Sequence, residues 1–198
     1  MTSTLIMGAS DAIRTSQDPL EPWLVSARAG DREALEFFLE AIDQRVFILA
    51  WRLLGDPVMA EDASQEALWK ICRNLERYQV GTNLWGWIYR IVLNQVHDLR
   101  RSRMARRESA PEAAAGVPSR TTYDPERSEQ LRRVVDAMAA LTNRERDALV
   151  LIDIEGFSSG EAAKILGCLA ITARTRAAQA RRKVRRELSR FYPELKET

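Results

Sequence analysis

The chain has 198 residues, 30 Lys+Arg against 28 Asp+Glu for a net charge of +2, and 45% apolar residues, which sets one or two domains with a real core. No apolar run approaches the roughly 18 to 20 residues of a membrane span, and no basic segment followed by an apolar stretch opens the chain, so neither membrane insertion nor a secretory signal is predicted. Two distant cysteines, Cys72 and Cys168, and a single histidine, His97, argue against a disulfide framework, a metal site and His-based catalysis; the composition predicts a cytoplasmic, all-α protein without metal or cofactor.

Residues 1–20 mix Thr, Ser, Gly, Asp and Pro without a period and predict a mobile tail. From Pro22 the pattern is helical. Asp31 is placed to cap a helix whose Leu35, Phe38, Leu39, Ile42, Val46, Leu49, Ala50 and Leu53 form one apolar stripe. Gly55-Asp56-Pro57 ends that helix and starts the next. The second helix is predicted to run to about Tyr78, with Ala60, Ala63, Ala67, Ile71, Leu75 and Tyr78 toward the core. Its other face carries Asp62, Gln65, Glu66 and Trp69. After a loop with Gly81 and Asn83, a third helix from Leu84 to about Arg103 is apolar up to Val96 and then basic. Residues 108–125, rich in Pro, Ala, Ser and Thr, bury too little surface to offset their chain entropy and predict a flexible linker.

A second helical domain, 126–194, opens with Leu131, Val134, Val135, Met138 and Leu141 on one helix. Thr142-Asn143-Arg144-Glu145 and Ser158-Ser159-Gly160-Glu161 are both capping boxes. Between them lies a helix with Ala148, Leu149, Leu151 and Ile152. A short helix through Ala162, Ala163, Ile165 and Leu166 stops at Gly167. The final long helix places Ala173, Ala177, Ala180, Val184 and Leu188 on one side and arginines on the others. The fold predicted is two small helical domains, 21–107 and 126–194, the second holding a helix-turn-helix.

Charge is segregated. Residues 56–66 carry Asp56, Glu61, Asp62 and Glu66 with no base, residues 99–107 carry only arginines among their charges, and residues 174–190 carry one acid, Glu187, among many bases. Such blocks point to more than one charged partner, one being nucleic acid. In a helix-turn-helix the second helix enters the major groove; here Thr172, Arg174, Thr175, Arg176, Ala178 and Gln179 would reach base edges. Arginine pairs with guanine and glutamine with adenine through two bonds each. Arg181, Arg182, Arg185 and Arg186 suit phosphates, which position without reading sequence.

In the first domain, the stretch Asn83 to Arg90 sets three aromatic rings beside a loop, with Asn94, Arg100 and Arg101 further along. Aromatics beside a basic groove hold single-stranded bases. Trp87, next to Ile88 and four from Ile91, is expected in the core, and Trp85 and Tyr89 at the surface. The Asp62-Gln65-Glu66-Trp69 face fits a basic protein surface, with Trp69 as anchor. There is no Gly-rich phosphate loop, HExxH or nucleophile elbow, and His97 beside Asp98 reads as a surface or phosphate-facing residue, so no enzyme is expected.

The run Ala60 to Leu68, the run Leu84 to Ile91 with Asn94, the start Leu141 to Arg146, and Glu155-Gly156-Phe157-Ser158 together resemble bacterial sigma factors, in the small two-domain extracytoplasmic-function (ECF) form. The resemblance covers 22–107 and 126–192. It implies that Asp62, Gln65, Glu66 and Trp69 bind the clamp coiled coil of core RNA polymerase. It implies that Asn83, Trp85, Tyr89, Arg90, Asn94, Arg100 and Arg101 open and read the minus-ten element of promoter DNA, with a base captured outside the stack. Thr172, Arg174, Thr175, Arg176, Gln179, Arg181 and Arg182 would then read the minus-thirty-five element while the second domain touches the polymerase flap and the linker threads toward the RNA channel. An anti-sigma factor is implied as a further partner.

The chain departs from the family pattern at Leu84 (usually Phe), Gly86 (usually Thr), Leu169 (usually Pro), and Ile171-Thr172-Ala173 with Ala177. The alanines would loosen the reader helix unless neighbours close in. Two alternatives stand beside this reading. One is a LuxR-type regulator, since Leu141 to Glu145 fits that start too. The other is a sigma-like interaction protein that no longer reads promoters.

Overall fold

The computed structural model describes residues 18–107, 133 and 136–192. Residues 1–17 of the predicted 1–20 tail, the linker at 108–125 and the predicted core positions Leu131, Val134 and Val135 lie outside the described residues; the last three tail residues are corrected, since Asp18 bonds the Leu20 N–H and Leu20 packs on the core. Among the described residues the architecture is helical without strands. In chain order it comprises α1 (Glu21–Arg28), α2 (Arg32–Leu54), α3 (Pro57–Arg73), a 3-10 turn (Leu75–Arg77), α4 (Leu84–Arg107), α5 (Asn143–Leu149) continued by a π turn (Val150–Ile154), α6 (Ser159–Leu166) and α7 (Ala170–Leu188).

The helix boundaries follow from side-chain chemistry. Asp31 accepts from the Ala34 N–H at 3.0 Å, satisfying an orphan donor at the start of α2. Gly55, at φ +70°, ends it in the left-handed region, where a Cβ is disfavoured. Asp56 caps α3 through the Val58 and Met59 N–H groups. That helix stops at Arg73 rather than near Tyr78, because the Asn74 side chain donates to the Lys70 carbonyl at 2.7 Å and the chain turns there. Leu75 and Tyr78 stay buried after the turn. Asn83 caps α4 by accepting from the Gly86 N–H at 2.8 Å. A Cβ at Gly86 would lie 3.3 Å from Asn83 Cγ, so the missing side chain at this position gives the cap its room. Both capping boxes form, at Thr142 with Glu145 and at Ser158 with Glu161.

Leu24, Phe38, Ile42, Val46, Leu53, Ile71, Ile88, Val92 and Val96 fill the core of α1–α4. In the second half, Leu149, Leu151, Phe157, Ala162 and Ile165 pack under α7. Ala173, Ala177 and Ala180 are 0–1% exposed. The neighbouring helices have therefore closed in on the small side chains, and interior packing is kept without the usual aliphatics. The buried cluster runs without a break from one half to the other. α4 lies against α6, and α2 meets α5.

Candidate nucleic-acid interface

An open groove lies along α4, bounded by the end of α3 and the turn that follows. Trp87, Arg90, Asn94 and Arg101 line it from α4, and Lys70, Asn74 and Arg77 from the other side. Trp87 is half-buried, its ring leaning on Tyr78 at 5.4 Å between centroids. Arg90 and Asn94 are exposed, and Arg101 pairs only with Asp98 on its own helix. An aromatic face among four cationic side chains and the Asn74 and Asn94 amides is what stacking a base and holding its phosphates require. His97 and Asp98 also border the groove.

The tryptophan of this groove is not the one the local pattern favoured. Trp85 is 5% exposed and Tyr89 0%, so their expected surface position is corrected. At about 100° per residue they sit about 160° around α4 from Trp87, on the side of Ile88, Val92 and Val96. Trp85 packs edge-on against Tyr89 at 5.7 Å, with the Arg45 guanidinium 3.8 Å from its ring centroid. Trp87 instead shares a stripe with Asn94, Asp98 and Arg101 at steps of seven, four and three, a signal already present in the sequence. Lys70 and Arg77 were missed because they come from another element.

Arg100 is also corrected: it does not face the groove. Its side chain is 11% exposed, donating to Asp147 at 2.8 Å and to the Leu53 carbonyl at 2.5 Å. Asn83, besides capping α4, donates to Glu161 at 3.2 Å. These bonds belong to a buried polar seam between the halves. Asp147 also lies 2.7 Å from His97 Nε2. Glu155, 2% exposed, accepts from Arg52 and from the Tyr89 hydroxyl, both at 2.5 Å, with Arg45 at 3.7 Å. Burial, with Glu155 beside it, pushes the Tyr89 phenol well above its ordinary pKa. Arg146 donates to the Leu53 and Met138 carbonyls; burial, with Arg100 nearby, lowers its pKa.

The acidic face of α3 is as the spacing predicted. Asp62, Gln65, Glu66 and Trp69 are all exposed, and Trp69 is 53% exposed with the Arg73 guanidinium 4.4 Å from its ring. On α7, Arg174, Thr175, Gln179, Arg181 and Arg182 are exposed, while Thr172 and Arg176 are half-buried. Arg174 donates to Ser159 at 3.2 Å and Arg181 to Asp153 at 2.6 Å. Both arginines remain exposed despite these contacts.

The family model for sigma-70 region 2 matches residues 38–106, and that for sigma-70 region 4 matches residues 131–184. Over 192 residues the chain is 34% identical to the ECF RNA polymerase sigma factor SigE of Mycolicibacterium smegmatis, covering 93% of this chain and 74% of that protein. The chain belongs to the ECF RNA polymerase sigma factors. ECF sigma factor SigC of Mycobacterium tuberculosis is 32% identical over 165 residues, covering 79% of this chain and 84% of that one. The sigma factor RpoE, solved in complex with the anti-sigma factor NepR from Bartonella quintana, has 25% identity and a TM-score of 0.66 over 78% of this chain and 96% of that one. The region 2 match decides against the LuxR-type alternative, which drew only on the helix start at Thr142. This ECF sigma factor is thus a transcription initiation factor with a DNA-binding helix-turn-helix, and among the described residues no helix is long and apolar enough to cross a membrane.

Proposed function

We propose that this ECF sigma factor works through two domains, 21–107 and 126–194, joined by a linker, in the cytoplasm and without catalysis of its own. Asp62, Gln65, Glu66 and Trp69 dock on the clamp coiled coil of core RNA polymerase. The groove at Trp87, with Arg90, Asn94 and Arg101, holds the melted non-template strand of the minus-ten element. Asn83, which caps the same helix, is the proposed contact to the strand just before it enters the groove. On α7, Thr172, Arg174, Thr175, Arg176, Gln179, Arg181 and Arg182 read the minus-thirty-five element. The observation that carries this reading is the single open face on which Trp87 stands with cations from three segments of the chain.

The same reading gives the seam between the halves a role. Elements twenty-five base pairs apart are separated by about 85 Å of duplex, whereas here α6 lies directly on α4. The closed arrangement is therefore a resting form, and the halves part when both elements are engaged. An anti-sigma factor, like the one in complex with RpoE, is the kind of partner that would hold this factor away from polymerase.

Run-off transcription with purified core RNA polymerase and a randomised promoter pool tests the proposal. Selected transcripts that share a two-part upstream element are the expected result. No transcript, from a core preparation that is active with another sigma factor, would contradict it and leave the sigma-like interaction protein as the better reading.

A further inference from the structure

Glu21 opens α1 and is 6% exposed. A carboxylate is costly to bury unless it is hydrogen-bonded, and α1 has no need of it for docking. Leu24 is fully buried and Leu20 and Ala27 pack on the core, so an apolar residue at position 21 would serve attachment equally well. The bonds of Glu21 go elsewhere. Its Oε1 accepts from the Gly81 N–H at 2.6 Å, across sixty positions of sequence. The Tyr78 hydroxyl lies 2.6 Å from the same oxygen and 2.8 Å from the Thr82 carbonyl, its one proton serving either acceptor. From the far end of α1, Arg28 donates to the Tyr78 carbonyl at 3.1 Å and to Glu76 at 3.3 Å. One short helix thus holds both ends of the segment 76–82.

That segment meets the groove at two points: Arg77 lines it, and Tyr78 supports the Trp87 ring. Thr82 turns back on the Gln79 carbonyl through its N–H and its hydroxyl, and Gly81 sits at φ +82°, a conformation open chiefly to glycine. The turn leaves Gln79, Val80 and Thr82 exposed. Immediately after it, Asn83 caps α4, and the Trp87 ring rests on Tyr78. Tyr78 is therefore a shared support: one side is tied to Glu21, and the other carries the aromatic of the groove. Burial and the neighbouring carboxylate raise the Tyr78 phenol above its ordinary pKa, so it remains a donor.

We infer that Glu21 is a positioning residue of the DNA site: by fixing the Gly81 turn and the Tyr78 hydroxyl, it sets the Arg77 edge of the groove and the Trp87 ring in the register that decides which bases of the single strand are preferred. This rests on the reading that the groove at Trp87 holds the minus-ten strand. A turn held from outside its own helix pair enters the complex already ordered, which spares the ordering cost that blurs discrimination.

The test uses the full chain with core polymerase and a pool randomised across the minus-ten segment. Base preference is read from the selected sequences, and affinity for single-stranded non-template DNA is read separately. Glu21→Ala is expected to reduce discrimination between best and worst bases by about tenfold, within the range of one base contact, while core binding and the thermal midpoint change little. Glu21→Gln, whose amide oxygen still accepts from the Gly81 N–H, is expected to keep most of the preference. Tyr78→Phe keeps the ring under Trp87 and loses only the hydroxyl, so it serves should the alanine variant fail to fold; a smaller loss in the same direction is expected. Wild-type preference in both Glu21→Ala and Tyr78→Phe, alongside weakened single-strand binding by Trp87→Ala, overturns the positioning role alone. A uniform loss of all affinities in Glu21→Ala, unrestored by Gln, also overturns it. Unchanged single-strand binding in Trp87→Ala overturns the groove reading itself, and this inference with it.

Discussion

Trp85 and Trp87 stand two positions apart in sequence and end on opposite sides of α4, one in the core and the other on the wall of the groove. Trp85 is enclosed by Tyr89 and Arg45, so Trp85→Ala should cost about 3–5 kcal/mol, as for other buried aromatics. Trp87→Ala, at a half-buried position, should cost clearly less. Urea unfolding of the two variants checks the order; equal losses would contradict the assignment. The shared stripe of Trp87, Asn94 and Arg101 lay in the helical spacing, but the pairing of Trp87 with Ile88 and Ile91 drew it to the core instead. What hid Tyr89 and Arg100 was long-range partners: Glu155 and Asp147 lie 66 and 47 positions away, and no local period announces a buried ion pair. The free-looking arginines of the sequence therefore divided into those facing the groove and those satisfying acids inside.

At the scale of the helices the sequence guided most starts and core faces, because caps and stripes are local, but it carried the second helix past Arg73 to Tyr78. Asp31, Gly55, Asn83, Thr142, Ser158 and Gly167 mark ends where their chemistry requires them. The π turn after α5 was not legible, since nothing in Val150–Ile154 distinguishes it from an ordinary helical turn. The two capping boxes give the second half a pH dependence. Burial works to raise the Glu145 carboxyl, but hydrogen bonds from Lys183 and Thr142 outweigh it and hold the pKa below the ordinary value. Glu161 is lowered in the same way by Ser158 and Asn83. A carboxyl with a depressed folded-state pKa contributes its stability above the unfolded value, about 4.3, and loses it as pH falls through the folded one. The thermal midpoint should thus drop as pH falls below about 5, and Glu145→Gln with Glu161→Gln should flatten part of the drop; an unchanged slope would contradict this. The exposed α3 face makes a separate prediction. Asp62→Lys with Glu66→Lys should abolish capture by core polymerase while the far-UV circular dichroism stays as in the wild type, because surface substitutions seldom cost more than about 0.5 kcal/mol. Retained capture would remove this face from the polymerase contact.

For the whole molecule, the seam between the halves is the feature the sequence concealed most fully. Charge segregation pointed to nucleic acid, yet Arg45, Arg52, Arg100 and Arg146 spend their charge on Glu155, Asp147 and main-chain carbonyls across the seam. Removing Glu155 leaves the Tyr89 hydroxyl and the partly exposed Arg45 and Arg52 without their shared acceptor, a loss of about 1–3 kcal/mol. Glu155→Ala should therefore shift the protein toward parted halves, seen as a larger radius of gyration by small-angle X-ray scattering; an unchanged radius would show that the apolar contact of Tyr89 with Phe157 suffices to keep the halves together. On the proposed reading opening matters because only parted halves would reach both promoter elements, while the groove at Trp87 would take the melted strand. The most direct measurement is the affinity of the factor bound to core polymerase for a selected non-template minus-ten strand against the same sequence as duplex. At least about tenfold tighter binding of the single strand, with most of that advantage lost in Trp87→Ala, is the predicted result; equal affinity for the two forms in the wild type would contradict it.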